Sequence, residues 1–173
     1  MQQFKILFFC FLLIPTVFMA QDSDFSNDVK DYLESNGSMQ QYEYAYDQLM
    51  IMMEGRYPKN EGNKQGWAYL EENKTKALAD IKNLMVPIYQ ANFTQGEIKQ
   101  MAAFYKSEAG VLLITDRAKM TEVHKEELNT FYNSAVGQKI ISKQEVLTTE
   151  ISKVSEGWSR DLYETSMSLL KNG

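Results

Sequence analysis

The chain has 173 residues, with 18 Lys and Arg against 23 Asp and Glu interspersed along it, for a formal charge of −5. Phosphate contacts need a positive stripe, so nucleic acid is not an expected partner, and the negative balance most simply serves solubility. One cysteine and one histidine exclude an internal disulfide, and they leave zinc sites and Cys–His or Ser–His chemistry without parts.

The first twenty residues hold one charge, Lys5, then an apolar run from Ile6 to Leu13, then Pro15 and Thr16, and finally Ala20 before a polar QDSD. That order is the anatomy of a secretory signal. A spanning helix needs roughly 20 apolar residues, so no stable membrane span is expected after processing. The expectation is a signal peptide over 1–20, a mature protein starting at Gln21, and a periplasmic or secreted destination. Cys10 lies inside the apolar run and would leave with it. The remaining chain, 21–173, is expected to form a single helical domain held by its hydrophobic core, because about 150 residues can bury close to 70% of their unfolded surface.

Beyond the signal, apolar residues recur at helical spacing, with no sustained period-2 alternation. The reading is an all-α, compact bundle of about five to seven helices. Phe25 to Ser35 reads as a first helix, ended by Asn36-Gly37, a pair suited to a left-handed cap. Met39 to Met53 reads as a second, with Tyr42, Tyr46, Leu49 and Met53 on one face and Tyr44, Met50, Ile51 and Met52 widening that stripe. Such a Met and Tyr face is expected to be core, with a grip on a flexible partner as the other use. Glu54 to Gly66 contains Gly55, Pro58, Gly62 and Gly66 and reads as a loop.

A third helix is expected from Trp67 into LMVPIYQANF, kinked at Pro87. Thr94 and Glu97 form a capping box, with Phe93 as a staple, and the helix they start presents Ile98, Met101, Ala102 and Tyr105 on one face. Ser107 is expected to stop it and to cap another that runs through VLLITDRAKM. The last long helix shows Leu147, Ile151, Val154, Trp158 and Leu162 on one face, with Trp158 as a core anchor.

The most specific feature is a repeat. FYKSEAG at Phe104–Gly110 recurs as FYNSAVG at Phe131–Gly137, and Ile114 and Ile141 each follow four residues after the glycine. In each copy the aromatic pair, Phe104-Tyr105 and Phe131-Tyr132, would close one helix with a large buried area. Ser107 and Ser134 would each stop that helix and cap the next. Gly110 and Gly137 would let another backbone pass close to the new first turn. The reading is a helix–corner–helix unit used twice, with both serines as caps and not nucleophiles.

The segment VPIYQANFTQGEIKQMAAFYKSEAG, followed by FYNSAVGQKIISKQ, resembles the bacterial domain-of-unknown-function family two-zero-five-nine. Its pattern is an FT-x-x-E helix start leading into FY-x-S-x-x-G, then a second FY-x-S/T-x-x-G-x-K. The resemblance covers about residues 86–158. The pattern often has proline after the serine, where this chain has Glu108 and Ala135; Gly96 in the capping segment also departs from it. The resemblance implies an exported, all-helical bacterial protein and no particular activity.

His124, in TEVHKEEL, has Leu128 where a metal-binding helix would place a second ligand, and reads as a surface histidine. The carboxylate pairs Glu71-Glu72, Glu126-Glu127 and Asp161 with Glu164 could in principle serve a hydrolase, but each fits a solvated helical face. The sequons at Asn36, Asn73 and Asn92 read as incidental in a bacterial protein. No cofactor, metal site or enzymatic activity is expected. The function expected is an exported helical interaction module that binds a protein or envelope component, or a second copy of itself as a homodimer. The alternative is a periplasmic carrier of an apolar small molecule or lipid in a Met- and Tyr-lined cleft, and a carboxylate-based hydrolase ranks below both.

Overall fold

A computed structural model describes residues 16–171, with side chains from Ser23 onward. The expected signal segment lies outside these residues, apart from the stretch after Pro15 that belongs to the backbone of the first helix. The described residues form seven α-helices and one 3₁₀ turn, with no strand. The fold is all-α, and among the described residues no helix is long and apolar enough to cross a membrane.

Helix α1 spans Thr16–Ser35, starting well before Phe25. The sequence explains the extra length, because neither Pro nor Gly stands between Thr16 and Ser35 to stop a helix. It ends at the expected cap. Gly37 adopts φ 82°, and the Asn36 Oδ1 accepts the Ser38 N–H at 2.9 Å. A side chain there would also lie 2.8 Å from the Ile114 Cγ2.

Helix α2, Ser38–Arg56, turns Met39, Tyr46 and Met53 inward. Tyr44 (66% exposed), Ile51 (62%) and Met52 (47%) face away from the core, which corrects the wider Met and Tyr stripe. The reason is arithmetic: 44, 48, 51, 52 and 55 lie on the face opposite 39, 46 and 53 at 100° per residue.

The expected loop over 54–66 is also shorter, spanning 57–63. Gly55 stays helical in α2, and Gly66 belongs to the first turn of α3, Lys64–Asn92. Gly66 is small for packing: a Cβ there would come within 2.7 Å of the Leu169 carbonyl oxygen. Within the loop, buried Asn63 accepts the Asn60 N–H at 2.9 Å and donates to the Pro58 carbonyl at 3.0 Å. Helix α3 passes through Pro87 without ending.

Then follow α4 (Gln95–Lys106), α5 (Glu108–Thr115), a 3₁₀ turn (Arg117–Lys119), α6 (Glu122–Asn133) and α7 (Ala135–Leu170). The helix expected through VLLITDRAKM is therefore broken after Thr115. Asp116 leaves the helical region, and its side chain accepts the Ala118 N–H at 3.2 Å, competing with the helix for the backbone.

The long helices α3 and α7 pack along each other, and α1 lies against α3 and α4. The main core holds Val29, Leu33, Ile81, Met85, Ile98 and Met101, with Phe25, Ile151, Val154 and Trp158 against it. A smaller cluster at the far end joins Met53, Trp67, Leu70 and Leu170.

Candidate functional site

The eight repeat residues form two superimposable corners. Ser107 stands between α4 and α5, capping both, at φ −69° and ψ 165°; Ser134 stands between α6 and α7 at φ −71° and ψ 165°. Each hydroxyl accepts the N–H of the motif glycine, Gly110 at 3.3 Å and Gly137 at 3.2 Å. The backbone that passes close is the motif's own. A Cβ on Gly110 would lie 2.1 Å from the Phe104 carbonyl oxygen, and one on Gly137 2.2 Å from that of Phe131. Only glycine lets the old helix's last turn rest on the new helix's first.

The two corners also meet. Phe104 and Phe131 stack face to face, with ring centroids 4.0 Å apart and planes 3° from parallel. Tyr105 and Tyr132 flank that pair, and Tyr105 lies 5.9 Å from Tyr32 of α1, whose own ring meets Tyr89 of α3 edge-on at 5.3 Å. Burial pushes the hydroxyls of Tyr32 and Tyr105 far up, and that of Tyr89 up to about 12, so all three are neutral phenols. This cluster is a structural aromatic spine. The contact between copies was signalled by the repeat, whereas the part played by Tyr32 carried no signal.

The expected capping box is present: the Glu97 N–H donates to Thr94 Oγ1 at 3.3 Å, and the Thr94 N–H to Glu97 Oε2 at 2.7 Å. Lys139 of α7 donates to the same carboxylate oxygen at 2.7 Å, tying α4 to α7. The Lys139 ammonium and then the Thr94 N–H hold the Glu97 carboxyl below the usual carboxylate range.

His124 departs from its reading as a surface residue. It is the third residue of α6, its side chain is 14% exposed, and its Nδ1 accepts the Thr121 N–H at 3.2 Å, replacing glutamate in a second capping box. Among the three carboxylate pairs, Glu71 meets Lys59 and Asp161 meets Arg160, while Glu72, Glu126, Glu127 and Glu164 are exposed. Among the described residues no group of three or more His, Cys, Asp or Glu could hold a metal ion. Asn92, of the third sequon, is buried, and its amide donates to the Ile88 carbonyl.

A groove of about 460 Å³ runs between α3 and α7. Tyr69, Ala77 and Leu84 form one wall, Val154, Gly157 and Leu162 the other, and Trp158, Leu70 and Tyr46 the floor. Tyr69 and Leu84 are each about half exposed, at 48% and 46%. The floor's polar atoms are already used: Trp158 Nε1 donates to the Ala77 carbonyl at 2.9 Å, and the Tyr46 hydroxyl to the Leu70 carbonyl at 2.6 Å. Trp158 thus anchors the core as expected, edge-on to Tyr42 at 5.6 Å, and also lines the groove. Of the expected Met- and Tyr-rich lining, this groove has Tyr46 and Tyr69 but no methionine. The exposed residues of α2 point elsewhere.

No curated protein and no solved structure matches the chain significantly. Two overlapping stretches, 79–123 and 117–164, match the model of a family described as "Uncharacterized protein conserved in bacteria (DUF2059)". The first stretch holds the first corner and the second stretch holds the other, together about half of the chain. This chain therefore belongs, over residues 79–164, to that uncharacterized bacterial family.

Proposed function

We propose that this chain is an exported helical interaction module, not an enzyme, which holds a protein or envelope partner in the groove between α3 and α7. The observation that carries the reading is the groove's make-up: largely apolar walls, with Tyr69 and Leu84 half exposed, over a floor whose polar atoms are already partnered. Apolar surface of this kind is stabilised by being covered, and an exposed apolar recess with a polar rim is what partner sites present. Export rests on the N-terminal signal pattern, and N-terminal sequencing of the exported form should read Gln21 first.

The reading is tested by capture from the native envelope on immobilised mature protein. Leu84→Glu, placed on a half-exposed wall, should fold normally and lose at least tenfold of the captured partner, while Val146→Glu on the outer face of α7 should capture as wild type does. Equal capture by both variants would contradict the groove as the binding surface.

A carrier role is the second reading, favoured by the groove's volume, which lies in the range of small-molecule sites. Native mass spectrometry separates the two. A retained small-molecule mass supports the carrier, and a clean protein mass or a dimer supports the module.

A further inference from the structure

Resting on the interaction reading above, we propose that the occupant of the α3–α7 groove is a basic amphipathic helix of a partner protein, seated against Gly157. Helices form both walls, and their backbone groups are spent on their own hydrogen bonds. An extended segment laid between them would find no N–H or C=O to pair with, whereas a helix arrives with its own bonds made. From Tyr69 to Leu84 the α3 wall runs about 22 Å, room for roughly four helical turns. The floor offers no free donor to a small polar head group, since both Trp158 Nε1 and the Tyr46 hydroxyl are taken. What it offers is apolar surface.

Gly157 is the second observation. It stands in the middle of α7, where glycine costs helix stability relative to alanine. Nothing in the fold requires it, because a Cβ built there meets no atom within 4 Å. The contrast with Gly66, Gly110 and Gly137, each pressed against backbone, is direct. Gly157 instead lines the groove wall with open space where a side chain would stand. An apolar side chain of a docked helix fits that space.

Charge supplies the rest. Asp80 on the α3 lip and Asp161 on the α7 lip face the groove from opposite sides. Lys76, the one cation among the lining residues, is tied to Asp80 at 2.7 Å, and the Arg160 partner of Asp161 is exposed beside it. The lining is net negative on a net negative chain, so flanking Lys or Arg on the occupant complements both lips.

The test is calorimetric titration of the mature protein with an 18-residue Leu/Lys amphipathic helical peptide and with its Leu/Glu counterpart. The Leu/Lys peptide should bind one to one, and at least tenfold more tightly than the Leu/Glu peptide. Gly157→Ala should bind it at least tenfold more weakly while melting about 4 °C higher, because alanine favours the helix. Gly55→Ala, a second helical glycine with open space around it and outside the groove, should bind as wild type. Equal binding by Gly157→Ala, no preference between the peptides, or binding of palmitate or phosphatidylglycerol vesicles in their place would overturn the proposal. If envelope capture depends on Leu84 and no basic peptide binds, the interaction module stands and its helical occupant falls.

Discussion

Ser107 and Ser134 each end one helix and begin the next with the same φ and ψ, and each satisfies a backbone N–H that would otherwise be orphaned. Aspartate caps as well as serine but lacks the hydroxyl. Urea unfolding should therefore show that Ser107→Ala and Ser134→Ala each lose about 1 kcal/mol, while Ser107→Asp and Ser134→Asp stay close to wild type. Aspartate variants that fold normally but reproduce the phenotype of a gene deletion would overturn the capping role. The glycines are less forgiving. A Cβ about 2 Å from a carbonyl oxygen forces the backbone apart, so Gly110→Ala and Gly137→Ala should each cost about 3 kcal/mol, more than losing the cap. Both roles were legible in the sequence, because Phe-Tyr-x-Ser-x-x-Gly spaces an aromatic end, a cap and a close approach one helical turn apart. Nothing in the sequence indicated the histidine at the third position of α6, since a ring nitrogen rarely substitutes for a glutamate oxygen in that box.

At the scale of elements, the sequence was most legible where a stop signal also had a cap. Asn36-Gly37, Thr94 and the two motif serines all lie where expected. It was less legible where a residue type has two uses. Gly55 and Gly66 suggested a loop, yet one is tolerated inside α2 and the other is needed where Leu169 crosses α3. Asp116 gave no warning that its side chain would draw the backbone out of α5. The Met and Tyr residues of α2 lie too densely along the sequence for composition alone to tell the buried face from the exposed one. The contact between α4 and α7 through Glu97 and Lys139 is testable by pH. Because the folded carboxyl titrates below its unfolded value, its contribution is present above about pH 4.3 and is lost as pH falls through the folded value. Between about pH 6 and about pH 3, wild type should therefore lose more stability in urea than Glu97→Gln does. Equal losses would show that this pairing contributes nothing to the union of the two helices.

For the whole molecule, the all-helical class followed from periodicity and the family from the repeated motif, but the groove did not. A groove is a gap between two helices far apart in sequence, and the face of α7 that lines it reads in isolation as ordinary core. Trp158 shows the difficulty well, since its indole packs on Tyr42, bonds Ala77 and still lines the groove. The Phe104–Phe131 stack holds α4 to α6 and the Tyr32–Tyr89 contact holds α1 to α3, while none of the motif residues lines the groove. The most direct measurement of the central claim is photo-cross-linking in living cells, with a benzophenone amino acid placed at Leu84, at Tyr69, or at Val123 on the exposed face of α6. The account predicts the same protein adduct from Leu84 and Tyr69 and none from Val123. Adducts of equal yield from all three positions, or from Val123 alone, would contradict it.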